Sequence, residues 1–206
     1  MERKMSILTA PGRWGFNFDE SEFEGIKREA EKLCYPILKS DSAKLLHFLC
    51  LIHRPRHILE LGTGLGYSTR HMAAALSTGT FYLCDYNPEL LDTVASDLPL
   101  FDCYKLSGPA NESLLTIPEE QKFDLIFLDI DKRDYLEVFE MSWPKLRLGG
   151  LMIVDNIFFS GRVFEDHPTK KAGVNSIHQL VELAEKWPSC LFPCDDGLLV
   201  ITKPDY

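Results

Sequence analysis

Residues 57–68 read His57-Ile-Leu-Glu60-Leu-Gly62-Thr-Gly64-Leu-Gly66-Tyr-Ser68, and their order decides the fold. A short, mostly aliphatic run ends in glycine at every second position, and an amphipathic stretch follows. This is the pattern of a buried strand, a tight turn and the start of a helix. Glycine lets a backbone turn sharply and approach a ligand closely, and a helix N-terminus presents unpaired N–H groups. The spacing is Gly-x-Gly-x-Gly, whereas dinucleotide-binding loops read Gly-x-Gly-x-x-Gly. That difference speaks against an NAD-dependent oxidoreductase.

The same alternation of short apolar runs and amphipathic stretches extends to both sides. Apolar runs at 80–85, 101–106, 123–129 and 151–155 are continuous, as expected of strands covered on both faces. Helical spacing links them at 40–53, 68–76, 88–98, 133–139 and 174–186. The series predicts an α/β, doubly wound, mostly parallel sheet. Two further runs, 190–193 and 198–202, flank Asp195-Asp196-Gly197 and predict a closing antiparallel hairpin, which makes seven strands. We expect one domain over 1–206, with an N-terminal arm and charged helix in 1–35 and the core in 36–206. In the arm, Trp14, Phe16 and Phe18 are expected to anchor it to the core.

Composition narrows the function. The chain has 206 residues, 45% hydrophobic and 26% charged, as in ordinary globular proteins. Its 22 basic and 31 acidic residues give a formal net charge of −9, a poor electrostatic match to nucleic acid or an anionic membrane. No apolar run reaches the ~20 residues of a membrane helix, and the first residues lack a signal-peptide pattern. Six cysteines without Cys-x-x-Cys spacing read as free thiols of a reducing, cytoplasmic setting. His47 and His71 fall within helical patterns and read as packing or surface groups.

Acids stand at the carboxyl ends of the second, fourth and fifth runs, where an open parallel sheet forms its ligand crevice. Asp85 follows the glycine loop by about 20 residues, the place for a ribose-binding acid. Asp129 ends the fourth run and Asp155-Asn156 the fifth. Two carboxylates and an amide are hard oxygen ligands, suited to Mg²⁺ or another hard divalent cation such as Mn²⁺ or Ca²⁺. Lys132 lies three residues beyond Asp129, and a lysine held against a cation is poised to act as a base. Phe158, Phe159 and Arg162 follow the fifth run closely enough to wall an acceptor pocket.

These residues resemble the cation-dependent class I O-methyltransferases, the catechol and caffeoyl-coenzyme-A O-methyltransferase-like enzymes. The resemblance runs from about residue 37 and rests on 60–68, 127–135 and Val154-Asp155-Asn156. It implies S-adenosylmethionine as cofactor, held by Glu60, Gly62, Thr63, Gly64, Gly66 and Ser68, with its ribose on Asp85 beside Tyr86. The adenine is expected near Pro109 and Ala110, and Asp129 and Asp131 complete the cofactor set. The resemblance also implies Asp129, Asp155 and Asn156 as metal ligands, Lys132 as catalytic base, and a homodimer. The expected partner is a small aromatic acceptor with adjacent oxygens; a hydroxylated uridine in tRNA is the alternative. Where the family carries a Glu-Gly-Gln-like step, this chain reads Ser42-Ala43-Lys44, a departure that leaves open whether Lys44 replaces the methionine-end contact.

Overall fold

The structure, a computed structural model, describes residues 20–167 and 170–205; Trp14, Phe16 and Phe18 lie outside them. Seven strands form one sheet: β1 (His57–Leu61), β2 (Gly79–Asp85), β3 (Phe101–Ser107), β4 (Phe123–Leu128), β5 (Leu146–Val154), β6 (Ser189–Phe192) and β7 (Leu198–Thr202). Their order is β3-β2-β1-β4-β5-β7-β6. The first five are parallel, while β7 runs antiparallel to both β5 and β6. The helices are α1 (Glu24–Leu33), α2 (Ser40–His53), α3 (Tyr67–Ala74), α4 (Pro88–Ser96), α5 (Ala110–Thr116), α6 (Tyr135–Ser142) and α7 (Lys171–Ala184).

Strand alternation divides the core in two. Ile58, Phe81, Leu83, Leu125, Phe127 and Ile153 face a layer built from α1 to α4. Leu59, Leu61, Ile126, Leu128, Met152 and Val154 face α5, α6 and α7. All six residues of β4 are buried, the consequence of a central position with helices on both faces. Burying one such large aliphatic or aromatic side chain contributes roughly 1.5–3 kcal/mol, so the centre of the sheet is also its most firmly held part.

The expected sheet is present, with four local differences. β3 is an edge strand with Asp102, Tyr104, Lys105 and Ser107 exposed and none of its residues fully buried, so it is not covered on both faces. β5 begins at Leu146, because the pair Gly149-Gly150 lies within the strand at a register shift against β4. The short helix α5 had no sequence counterpart; Pro109 precedes it and it spans only two turns. The residues joining β6 to β7 form a five-residue connection rather than a two-residue turn, since Phe192 pairs with Leu198. The charged helix before residue 35 is α1, and it is docked: Phe23, Ile26 and Ala30 are buried in the first layer. No helix among the described residues is long and apolar enough to cross a membrane. The six cysteines are unpaired.

Candidate functional site

Strand register assembles the site. Leu61 pairs with Cys84, so Gly62, the first residue beyond β1, comes level with Asp85, the last residue of β2. Leu128 pairs with Val154, so Asp129 and Asp155 leave β4 and β5 side by side. A cleft of about 440 Å³ opens over these strand ends.

The glycine loop is pinned from beneath. Gly62 N and Thr63 N both donate to Cys84 O at 3.0 Å, and Asp129 N donates to Leu61 O at 2.9 Å. Gly62 has φ +97°, and a Cβ there would stand 1.9 Å from the carbonyl oxygen of Asp129. Only glycine lets the loop pass under the end of β4. Gly66, at φ +77°, heads α3, and a Cβ on it would strike Val94 at 2.6 Å. Gly64 N donates to Asp85 Oδ2 at 2.8 Å, while Asp85 Oδ1 accepts from Asn87 N at 3.0 Å. Asp85 therefore fixes the loop as well as lining the cleft.

Glu60 sits elsewhere than expected. Alternation along β1 turns it toward the first layer, where it is fully buried and accepts from Ser68 Oγ and Thr69 Oγ1, each at 2.5 Å. It is behind the loop, outside the cleft. Burial, together with the charges of Asp129 and Asp85, pushes its carboxyl up to about 8. Gly62, Thr63, Gly64 and Ser68 line the cleft, whereas Gly66 does not. Tyr86 is 71% exposed, Pro109 precedes α5 and Ala110 begins it; all three lie beyond the cleft lining. Asp131 caps the turn 132–134 and pairs with Arg133 at 2.9 Å, which holds its carboxyl below the usual range. It lines a neighbouring groove with Lys132 and Phe159.

The acidic end of the cleft contains Asp129, Lys132, Asp155 and Asn156. Lys132 Nζ donates to Asp129 Oδ1 at 2.9 Å and to Ile130 O at 3.1 Å, and stands 4.9 Å from the centre of the buried Tyr135 ring. Asp155 is 2% exposed; its Oδ2 accepts from Asn156 Nδ2 at 2.7 Å, while its buried Oδ1 has no hydrogen-bond partner. Burial and the neighbouring Asp129 carboxylate raise the Asp155 carboxyl above the usual range. An orphaned buried carboxylate oxygen is costly, and a bound cation would satisfy it. Among the described residues no three carboxylate, histidine or cysteine side chains converge as a metal cluster. Asp129, Asp155 and Asn156 together offer two carboxylates and one amide, oxygen donors of the kind that suit a hard cation rather than zinc.

Two parts of the cleft had no counterpart in the sequence reading. Residues 35–39, between α1 and α2, form one wall; the Tyr35 ring lies against Gly64. Ser160 and Asp196 form another, Ser160 N donating to Asp196 Oδ1 at 2.7 Å. The Tyr-Pro step before α2 and the doubled acid before Gly197 were the available signals. Lys44 does not reach the cleft. It pairs with Glu20 at 2.7 Å.

A family profile described as O-methyltransferase matches residues 20–204, a start earlier than the expected residue 37. The chain is 32% identical over 139 residues to a catechol O-methyltransferase of Niastella koreensis, covering 64% of this chain and 63% of that protein. It is 31% identical over 184 residues to a caffeoyl-CoA O-methyltransferase of Zea mays, covering 80% and 70%. The structure of the O-methyltransferase TomG of Streptomyces achromogenes, solved in complex with S-adenosylmethionine, superposes with a TM-score of 0.73 at 26% identity, covering 90% and 91%.

Proposed function

Because the chain belongs to the S-adenosylmethionine-dependent O-methyltransferase family, we propose that it methylates one of two adjacent oxygens on a catechol-like acceptor, with the help of a hard divalent cation. The observation that carries the cation reading is the buried, unpartnered Oδ1 of Asp155 in the same cleft as Asp129 and Lys132. The acceptor class rests on the relatives, which are named for catechol and caffeoyl-CoA.

S-adenosylmethionine, when bound, supplies an electrophilic methyl group on a sulfonium. Gly62, Thr63, Gly64 and Ser68 cradle it, and Asp85 receives its ribose hydroxyls. A hard cation at Asp129, Asp155 and Asn156 would supply acidification and two-point orientation of the acceptor oxygens. Lys132 accepts the departing hydroxyl proton at Nζ, and Asp129 holds that nitrogen in place. Tyr135 and the walls of the cleft keep bulk water from the base. The protein's contribution is alignment and control of charge. The homodimer implied by the resemblance belongs to this reading, and sedimentation equilibrium checks it.

The test is a methyl-transfer assay with radiolabelled cofactor, offering catechol and total tRNA side by side. Label should pass to catechol, vanish with EDTA and return with Mg²⁺ or Mn²⁺. Label on tRNA alone would replace the acceptor, and full activity in EDTA after exhaustive dialysis would remove the cation.

A further inference from the structure

The loop leaving β5 carries an unusual amount of left-handed backbone. Asn156 (φ +54°), Phe159 (+48°) and Ser160 (+55°) are all non-glycine residues. Such a backbone conformation is unfavourable for a side chain with a Cβ and persists where its surroundings over-determine it. Here the surroundings are the connection between β6 and β7. Ile157 N donates to Gly197 O at 3.1 Å, Phe158 N to Asp196 O at 2.8 Å, and Ser160 N to Asp196 Oδ1 at 2.7 Å. The Phe158 ring closes on Gly197, where a Cβ would stand 3.0 Å from it.

The same connection grips α2 on its other side. Asp195 Oδ2 accepts from Ser42 N at 2.8 Å, and Ser42 Oγ lies 3.7 Å from Cys194 Sγ. The first turn of α2 directly continues the wall of residues 35–39 that leans on the glycine loop. Two aspartates adjacent in sequence therefore bond to two different segments beside one cleft, Asp195 to the first turn of α2 and Asp196 to the loop leaving β5. A turn needs only its glycine and one capping side chain, so a second acid bonded to a different wall calls for its own explanation.

We propose that Asp195 and Asp196 are positioning residues with divided duties. Asp195 sets the cofactor wall through α2. Asp196 sets the acceptor wall through Ser160 and thereby the placement of Asn156 at the start of the loop. The inference rests on the proposed function: the wall of residues 35–39 leans on the glycine loop proposed to cradle the cofactor, and the loop leaving β5 begins at Asn156, on the proposed acceptor side.

The experiment uses the full chain and the variants Asp195→Ala, Asp196→Ala and Asp196→Asn. Three quantities are read: amide hydrogen exchange, S-adenosylhomocysteine affinity by calorimetry, and affinity for Mn²⁺ alone. Loss of one such hydrogen bond corresponds to roughly tenfold in local opening. Asp196→Ala should speed exchange at Ser160 by about that factor and weaken Mn²⁺ by about threefold or more, with S-adenosylhomocysteine affinity held within about twofold. Asp196→Asn, which keeps an acceptor oxygen, should restore both. Asp195→Ala should speed exchange at Ser42 and weaken S-adenosylhomocysteine, leaving Ser160 protected. Unchanged Ser160 exchange in Asp196→Ala overturns the proposal, as do equal losses of both ligands in the two alanine variants. A parent protein that binds neither ligand would overturn the functional reading instead, and the exchange pattern at Ser42 and Ser160 would still judge the clamp.

Discussion

Glu60 is an acid that the fold keeps neutral at pH 7. Its carboxyl, raised to about 8 from an ordinary 4.5, holds a proton in the folded protein that the unfolded chain has already released. Between those two values stability falls as pH rises, by up to about 1.4 kcal/mol per pH unit. Glu60→Gln removes the titration, so its stability relative to the parent should climb from pH 5 to pH 8 in urea unfolding. A constant difference would mean that Glu60 is ionised in the fold. Lys132, the proposed base, poses the opposite case. Lys132→Met should lower turnover by about 10²–10⁴-fold while leaving S-adenosylhomocysteine affinity intact; steady-state kinetics beside calorimetry separate the two. Asp85, Asp129, Lys132, Asp155 and Asn156 were legible in the sequence because strand-end acids and glycine spacing are local patterns. Asp196 and Tyr35 were not, since nothing local tells a turn acid or a linker tyrosine which wall it will meet. The inward direction of Glu60 was readable from Ile58 two residues before it, a signal outweighed by the acid's nearness to the glycines.

Elements set the site through register, and a few atoms decide whether they mesh. β1 and β4 meet where Gly62 passes under the Asp129 carbonyl, so the cofactor loop and the acidic end behave as one joint. Gly62→Ala places a methyl 1.9 Å from that oxygen and demands a left-handed alanine. We expect a loss of about 2–4 kcal/mol or more in urea unfolding; a cost below 1 kcal/mol would show that the joint is loose. The ends of β4 and β5 make the complementary prediction. Asp129 and Asp155 repel across adjacent strands, and a cation between them would relieve that. Mn²⁺ should raise the melting temperature of the parent by several degrees, as ligand linkage requires, and leave Asp155→Asn unmoved. An equal rise in both proteins would put the ion elsewhere. At this scale the sequence conveyed the parallel core well, because buried central strands are continuous apolar runs. It conveyed β5 poorly, because Gly149-Gly150 reads as a break although the strand continues through a register shift.

Across the whole molecule, the two layers divide the labour. The layer of α1 to α4 backs the glycine loop, while the opposite layer supplies Tyr135, which donates to the backbone of Asp155 at 2.9 Å. S-adenosylhomocysteine should therefore stabilise the protein without added metal, by about 2.7 kcal/mol at a hundredfold excess over Kd. Thermal unfolding in EDTA measures this, and an EDTA-abolished shift would mean that cofactor and cation sites are coupled. The sheet order was only partly legible, because parallel pairing is implied by the alternating helices but the insertion of β7 between β5 and β6 is a property of the finished sheet. That insertion has a consequence for synthesis on the ribosome. The glycine loop, Asp129, Lys132, Asp155 and Asn156 are all translated before β7, whereas the clamp on the loop after Asn156 is made by Asp196 and Gly197, which directly precede β7 and its pairing with β5. A nascent chain stalled before residue 195 would carry every proposed ligand and the base but neither clamping aspartate, so methyl transfer should begin only after the connection to β7 has been made and β7 has paired.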